Sequence, residues 1–546
     1  MVNTALRYFY QLRYLKWVQI YWRIRLRLRS PRVIDSTGYP ALMMPPGNWV
    51  SPASMPHRVY APDRFSMLGQ ELPLLLPAGW QDLAPGKKWL MELHTFNYLG
   101  SQSADLDRAL IQSWIDNNPA YGGPGWHPYM TSQRIASWLK WGLSSGEVDA
   151  TVRASLAQQV NYLLQVLAYN ELDHKLFSNG KALLFAGWCL DDPDAHLWRA
   201  RGAALVLRFS RELLGEDGGY TGLSPMYHCA LLSDMLDVVN LLQAFNQPVP
   251  GYLARAIALA RFWLACLCHP DGQFALFNDS AFEVGAAPSQ LHDYARRLGY
   301  PPVAAPENGL VHLGASGFAR MAVGTAVALV DIGKIGPDHF PSHGHADTFT
   351  FELSLGKQRI IVDTGLSTYE DLEARLWQRG TGAHNTVQVD NRNSSDVWQL
   401  FKVGRRAAVA DVTVHSSAEV LRVSASHDGY SRPYNPLVHH REWEVSTGQL
   451  KIIDRLTGRG PHHEVRVAFH LHPDVIAKQM HPHRFSLEIV GGGPLGELEL
   501  AHGLVVAVEA YDYHPEFGQS LAGTRITGRA AGALPMEFTS LISWAN

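Results

Sequence analysis

The feature that most constrains this chain is a change of hydrophobic period partway along it. From about residue 90 to 300, segments such as AQQVNYLLQVLAYNEL, GKALLFAGWCL, AALVLRFSRELLG and HCALLSDMLDVVNLLQAFN carry apolar residues at i, i+3, i+4 and i+7. Short turn-like connections (DDPD, NQPVPG, HPDGQ) separate them. Paired helices of this kind suit an (α/α) toroid or a helical bundle. Beyond about residue 310 the period drops to two. FTFELSLGKQRIIVDTG, HNTVQVDN, EWEVSTGQLKIIDRLTG and EVRVAFHLHPD alternate and are rich in Val, Ile and Thr, as expected for a large antiparallel β-sandwich with few helices. We therefore expect an α+β multidomain protein: an aromatic, basic wrap over 1–90, an (α/α) toroid over 91–306 and an antiparallel β-sandwich over 307–546. A chain of 546 residues is too long for one core.

Charge narrows the function. Lys plus Arg number 47 against 50 Asp plus Glu, a formal charge of −3, without the basic excess of a nucleic-acid protein. The four cysteines, Cys189, Cys229, Cys266 and Cys268, form no CxxC spacing and read as buried thiols. The N-terminus, MVNTALRYFYQLRYLKWVQIYWRIRLRLRS, has seven basic residues and no acid. It lacks an uninterrupted apolar core and a small-residue cleavage site, so it does not read as a secretory signal. Nowhere are there 18 consecutive apolar residues, so no transmembrane segment is expected. The basic, aromatic helix suits either peripheral contact with an anionic membrane surface or packing onto the protein body. Cytoplasmic, membrane-peripheral and periplasmic locations all stay open.

Chemistry-bearing side chains gather at element ends, where loops deliver groups into clefts. FPSHGHADTFTFELSL sets His343, His345 and Asp347 at the lip of a strand. ELDHKLFSNGKALLFAG places Asp173, His174 and Lys175 before a helix, DGGYTGLSPMYHCALL places Tyr227 and His228 at the opening of another, and TGAHNTVQVD starts a strand with His384 and Asn385.

Taken together these blocks resemble the heparinase II/III-like polysaccharide lyases. HGHADTFTFELSLGKQRIIVDTG and TGAHNTVQVDN look like the signature of their β domain; SNGKALLFAG, DGGYTGLSPMYH and HPDGQFALFNDS look like that of their toroid. The N-terminal YLKWVQIYWRIRLRL is also similar to members that accompany bacterial exopolysaccharide production. The resemblance implies β-elimination at a uronate residue of an acidic polysaccharide. That reaction needs a donor to neutralise the carboxylate, a base for the C5 proton and an acid for the departing O4. Carried over, Tyr227 is the general acid and also a candidate base for one substrate epimer, His343 is the partnering base or a positioning group, and His174 is the group facing the carboxylate. His228 would orient the Tyr227 loop or bind substrate; Arg134, Lys175 and Asn278 are further candidates for substrate binding, Arg134 because a guanidinium grips a carboxylate bidentately. His345, Asp363 and His384 make a zinc set with a structural role. One departure stands out: the family commonly has Asn-His before the LF-N-KAL helix, and this chain has His174-Lys175. Relatives with histidine there include lyases of broad specificity and uronyl C5-epimerases. An epimerase of exopolysaccharide synthesis and a non-catalytic glycan-binding protein are therefore the alternatives to a lyase.

Overall fold

The computed structural model of the chain describes residues 4–34, 40–61, 64–74, 76–146, 148–432, 434–460 and 462–545. Two helices open it, α1 (Thr4–Leu12) and α2 (Trp17–Leu28), followed by a small antiparallel sheet over 58–73. The helical body then comprises α3 (Lys87–Thr95), α4 (Ala104–Asn117), α5 (Pro128–Ser145), α6 (Ala150–Gln165), α7 (His174–Cys189), α8 (Ala195–Glu212), α9 (Pro225–Ala244), α10 (Gly251–Cys266) and α11 (Pro288–Arg297).

Burial sorts these helices into two layers. Of α7, 14 of 16 residues are buried, but of α8 only 7 of 18. The inner helices α3, α5, α7, α9 and α11 each pack on the next, and α4 with α6 and α8 with α10 pack outside them. Alternation of inner and outer helices along the chain is what an (α/α) toroid requires. Gly180 and Gly202 let α7 and α8 nearly touch: a Cβ on Gly202 would stand 2.8 Å from the Gly180 carbonyl oxygen.

The β half begins at Gly309. A five-stranded meander runs through Gly309–Leu313, Phe318–Val323, Ala326–Asp331, Phe351–Leu355 and Gln358–Ile361. A four-stranded and an eight-stranded antiparallel sheet and a two-stranded ribbon (Val397–Trp398 with Lys402–Val403) follow, the first two forming the core with the meander. The long strand Leu437–Ser446 alternates buried and half-buried positions over its whole length, as a strand with one face on a core must. Met321, Phe351, Trp443, Phe469 and Ile526, from all three sheets, share one core. A separate cluster welds the halves together: Trp263 of α10 and Phe277 meet Phe318 and Leu329, with Phe277 stacked on Phe318 at 5.5 Å.

One element was not foreseen. Helix α12 (Leu372–Gln378) interrupts the β half, capped by Asp371, whose side chain accepts from the amides of Glu373 and Ala374. The cap followed by an apolar helical turn was its signal in the sequence. The four cysteines are free thiols, three buried and Cys268 partly so.

Candidate active site

A cavity of about 650 Å³ lies where the toroid meets the loops of the β half. Its wall includes His174, Lys175 and Tyr227 from the helical side and His343 and Tyr369 from the other. Each is delivered by a local device. Ser224 caps α9, accepting from the amide of Tyr227 at 3.1 Å, and Pro225 occupies the first helical position, where its missing N–H costs nothing. Tyr227 is thus held in the first turn. Asp173 caps α7 in the same manner and presents His174. The His343 loop is pinned by Arg379, which donates to the Gly344 carbonyl at 2.9 and 3.1 Å. Gly344 itself packs so closely on Ile335 that a Cβ would stand 1.9 Å from its carbonyl oxygen.

The three expected catalytic groups come together. The Tyr227 ring lies 4.2 Å from that of His343 and 4.7 Å from that of His174, centroid to centroid. The Tyr227 hydroxyl pairs with that of Tyr369 at 3.0 Å. Burial raises the Tyr227 pKa above its ordinary value and keeps the phenol protonated, ready to donate. Burial, Lys175 and His343 together hold His174 well below the usual histidine range, so its imidazole is neutral. Its Nδ1 is 3.3 Å from the Tyr220 hydroxyl. With that hydroxyl donating, the ring proton sits on Nε2.

The organising residue is Asp279. Burial opposes its ionisation, but the Arg375 guanidinium and the bonds from His343 and His345 hold its carboxyl well below the usual range. An ionised carboxylate can only accept. His343, 3.0 Å away through Nδ1, therefore carries its proton there, and its Nε2 is buried with no partner among the described residues. His345 is bound to the same carboxylate through Nε2 at 2.9 Å, leaving Nδ1 likewise without a partner. Arg375, from the unforeseen α12, reaches Asp279 at 2.8 Å. One carboxylate thus sets the tautomers of two histidines two residues apart.

The group placed to hold a metal ion differs from the expected one by a member. Ligand atoms of His345, Asp347 and His384 lie within 4.8 Å of one another, all three residues buried. Asp363, expected as the carboxylate ligand, stands behind His384, 2.8 Å from its Nδ1. It fixes that ring's tautomer as Asp279 fixes that of His345, an arrangement usual behind metal-bound imidazoles. His345 Nδ1, His384 Nε2 and Asp347 Oδ2 are all buried without a hydrogen-bond partner. Burial, with Asp331 adding to it, pushes the Asp347 carboxyl up. Burial also works against a charged His384, but Asp363 and Asp347 overcome it and raise its pKa. This pocket attracts positive charge. Asp173, His174 and His343 also lie close enough to share an ion, but Asp173 is engaged with the Lys175 ammonium at 2.7 Å.

Four expected substrate contacts fare differently. Lys175 lines the cavity, with its ammonium held by Asp173 and Glu171. Arg134 does not reach the cavity: it is fully buried, stacked 3.8 Å over Trp114 and donating to Gln159 and to the carbonyls of His94 and Gly125. His228 is buried too, accepting from the Tyr220 amide and bonded to the Ala260 carbonyl, so it positions the Tyr227 turn and meets no substrate. Asn278 donates to Leu223 and accepts from the His345 amide at 3.0 Å, stapling the two loops together. In all three cases the polar group is spent on the protein's own backbone or side chains. Asp279, Arg375 and Tyr369 were the functional candidates overlooked. Asp279 follows Asn278 in the FNDS block, which was its only sequence signal.

With this geometry in hand, the chain can be placed. It belongs to the heparinase II/III family: the heparinase II/III N-terminus profile matches residues 109–298 and the heparinase II/III-like C-terminal profile matches 305–545. Among curated proteins it is similar to a heparin-sulfate lyase of Bacteroides stercoris, 25% identical over 309 residues, covering 52% of this chain and 44% of that one. It is 26% identical over 261 residues to a heparin-sulfate lyase of Pedobacter heparinus, covering 44% and 39%. The match thus spans less than half the length of these curated relatives. Among solved structures the fold is that of heparinase III (TM-score 0.66, 16% identity, 84% of this chain and 76% of that one). The heparan sulfate lyase of Pedobacter heparinus shares it as well (TM-score 0.58, 18% identity, 97% and 88%).

Proposed function

We propose that the protein is a polysaccharide lyase that cleaves a uronate-containing acidic polysaccharide by β-elimination. The observation that carries this reading is the Tyr227–His343 pair at 4.2 Å, with the His343 Nε2 lone pair unclaimed by the protein, in the wall of a glycan-sized cleft. Family membership and the names of the relatives support the same reaction.

His174 Nε2–H donates to the uronate carboxylate and favours the enolate-like intermediate. His343 Nε2 takes the C5 proton, and the protonated ring is stabilised by Asp279 across Nδ1. Tyr227 delivers its proton to O4 as the glycosidic bond breaks, and Tyr369 orients that hydroxyl. We assign the substrate to bacterial exopolysaccharide metabolism because of the N-terminal resemblance noted above.

We also propose that His345, His384 and Asp347 hold a zinc ion, with Asp363 and Asp279 supporting the two imidazoles. Two imidazoles and a carboxylate form a common zinc donor set. The ion would tie the His343 loop to the strand that starts after His384.

A panel of uronate polysaccharides, assayed for the near-ultraviolet absorbance of an unsaturated uronate, tests the reading. Absorbance should grow with one of them, and Tyr227→Phe should fold normally yet slow turnover by roughly 100-fold or more. Exchange of the C5 hydrogen without absorbance would instead indicate an epimerase, and binding without either would indicate a glycan-binding protein.

A further inference from the structure

Helices α1 and α2 strap the two halves together. Arg7 pairs with Asp396 at 2.8 Å, and Tyr8 packs edge-on to Trp398 of the β half. On the toroid side Trp22 stacks on Tyr169 at 5.0 Å, and the buried Gln19 donates to the Glu171 carbonyl at 3.1 Å. The inner side of the strap also contributes Gln11, Leu15 and Arg23 to the cavity wall.

The outer side is the unusual one. Trp17, Tyr21, Ile24 and Leu28 recur at i, i+4, i+7 and i+11, which places them in one stripe of α2. They are 82%, 59%, 53% and 78% exposed. A surface helix normally turns its polar face to water and its apolar stripe inward. Here the solvent-facing stripe is apolar, and Phe9 and Leu12 of α1 are exposed as well. Arg25 and Arg27 flank the stripe, and Arg29 follows it. Residues 4–34 contain no acid.

We propose that this face docks on an anionic lipid surface. Charge complementarity selects that occupant. An apolar stripe edged by arginines fits the boundary between acyl chains and anionic headgroups, with the aliphatic stems lying along the apolar layer and the guanidiniums on the phosphates. A second copy of this chain fits poorly, because a twofold contact would set the same arginines against each other. At 12 residues α2 is about 18 Å long, too short to span a bilayer core of about 30 Å; it lies along the surface. Because the other side of the same helices forms part of the cavity wall, docking sets the cavity about one helix diameter (~10 Å) from the headgroups.

Sedimentation of the full chain with phosphatidylcholine vesicles, with and without phosphatidylglycerol, tests the proposal. The protein should pellet with the anionic vesicles and remain in solution with the neutral ones, and added salt should weaken binding. The combined variant Trp17→Ser, Tyr21→Ser, Ile24→Ser and Leu28→Ser should lose roughly tenfold or more in bound fraction, with its circular dichroism unchanged. Arg25→Gln with Arg27→Gln should erase the preference for anionic vesicles. The proposal fails if the wild type stays in solution with both vesicles or if the serine variant pellets as well as the wild type. It also fails if the wild type is a dimer that the serine changes split while vesicles go unbound.

Discussion

At residue scale the site is an exercise in proton placement. His174 is the clearest case, because its protonation decides how it can serve. Its folded pKa lies well below 6.5 through burial and the nearby Lys175 and His343, so in the proposed reaction it would serve as a neutral donor. A cationic His174 would make activity fall as pH rises through about 6.5. A neutral one leaves no such limb. In kcat/KM profiles from pH 5 to 8, wild type and His174→Asn should therefore keep the same shape while the variant is slower throughout. A descending limb near pH 6.5 that vanishes in His174→Asn would show that the imidazole works as a cation. Asp279 offers a second test. Replacing it by Ala leaves Arg375 buried and uncompensated, and breaking a buried pair in this way costs about 3–5 kcal/mol. Denaturant unfolding should register a loss of that size, and near-wild-type stability would mean Asp279 is not the ionised hub.

At the scale of elements, the HGHAD loop is held from several directions: by Arg379 on Gly344, by Asn278 on the His345 amide and by Asp279 on both imidazoles. A zinc ion on His345, Asp347 and His384 would add covalent cross-linking to these bonds, and metal affinity there would be folding energy. Elemental analysis of purified protein should find about one zinc per chain. His384→Ala should abolish it and lower the melting temperature. Discrimination between carboxylates comes from the next pair of variants: Asp347→Ala should lose the metal outright, whereas Asp363→Asn, which can still accept from His384 Nδ1, should weaken retention by roughly 10–100-fold. Full zinc in Asp347→Ala would restore Asp363 as the ligand.

For the whole molecule, buried neutral histidines set the pH range of stability. Burial, aided by Arg134, takes His94 down to about 3, and burial takes His228 to about 4. Both have folded pKa values depressed below the ordinary 6.5, so the unfolded chain takes up protons first as pH falls. Their contribution is complete above about pH 7 and is lost as pH drops from about 6.5 toward 4, by roughly 1 kcal/mol per histidine per pH unit. Melting temperature should therefore fall steadily between pH 6.5 and 4.5 and stay level from 7 to 8. A flat profile across the acid range would mean these imidazoles are protonated in the native state.

Local pattern was enough for the elements and their ends. The switch of period near residue 310, the helix openings at His174 and Tyr227 and the HGHAD strand entry are all properties of neighbouring residues, and each led to the right kind of element. What local pattern could not convey was which polar side chains meet across the fold. Arg134 and His228 carry the same chemistry as functional residues, yet burial and partners from distant segments turn them into structural ones. Asp279 looked like a loop residue until folding brought it to His343 and His345, 64 and 66 positions away, and to Arg375, 96 positions away. Asp363 and Asp347 are the same residue type 16 positions apart, yet only Asp347 gathers with both imidazoles, while Asp363 bonds His384 from behind. Hydrophobic periodicity is written along the chain because each residue is sorted by its own burial. Tautomers, charge states and ligand sets depend on pairs, and those pairs exist only once the tertiary structure has brought them together.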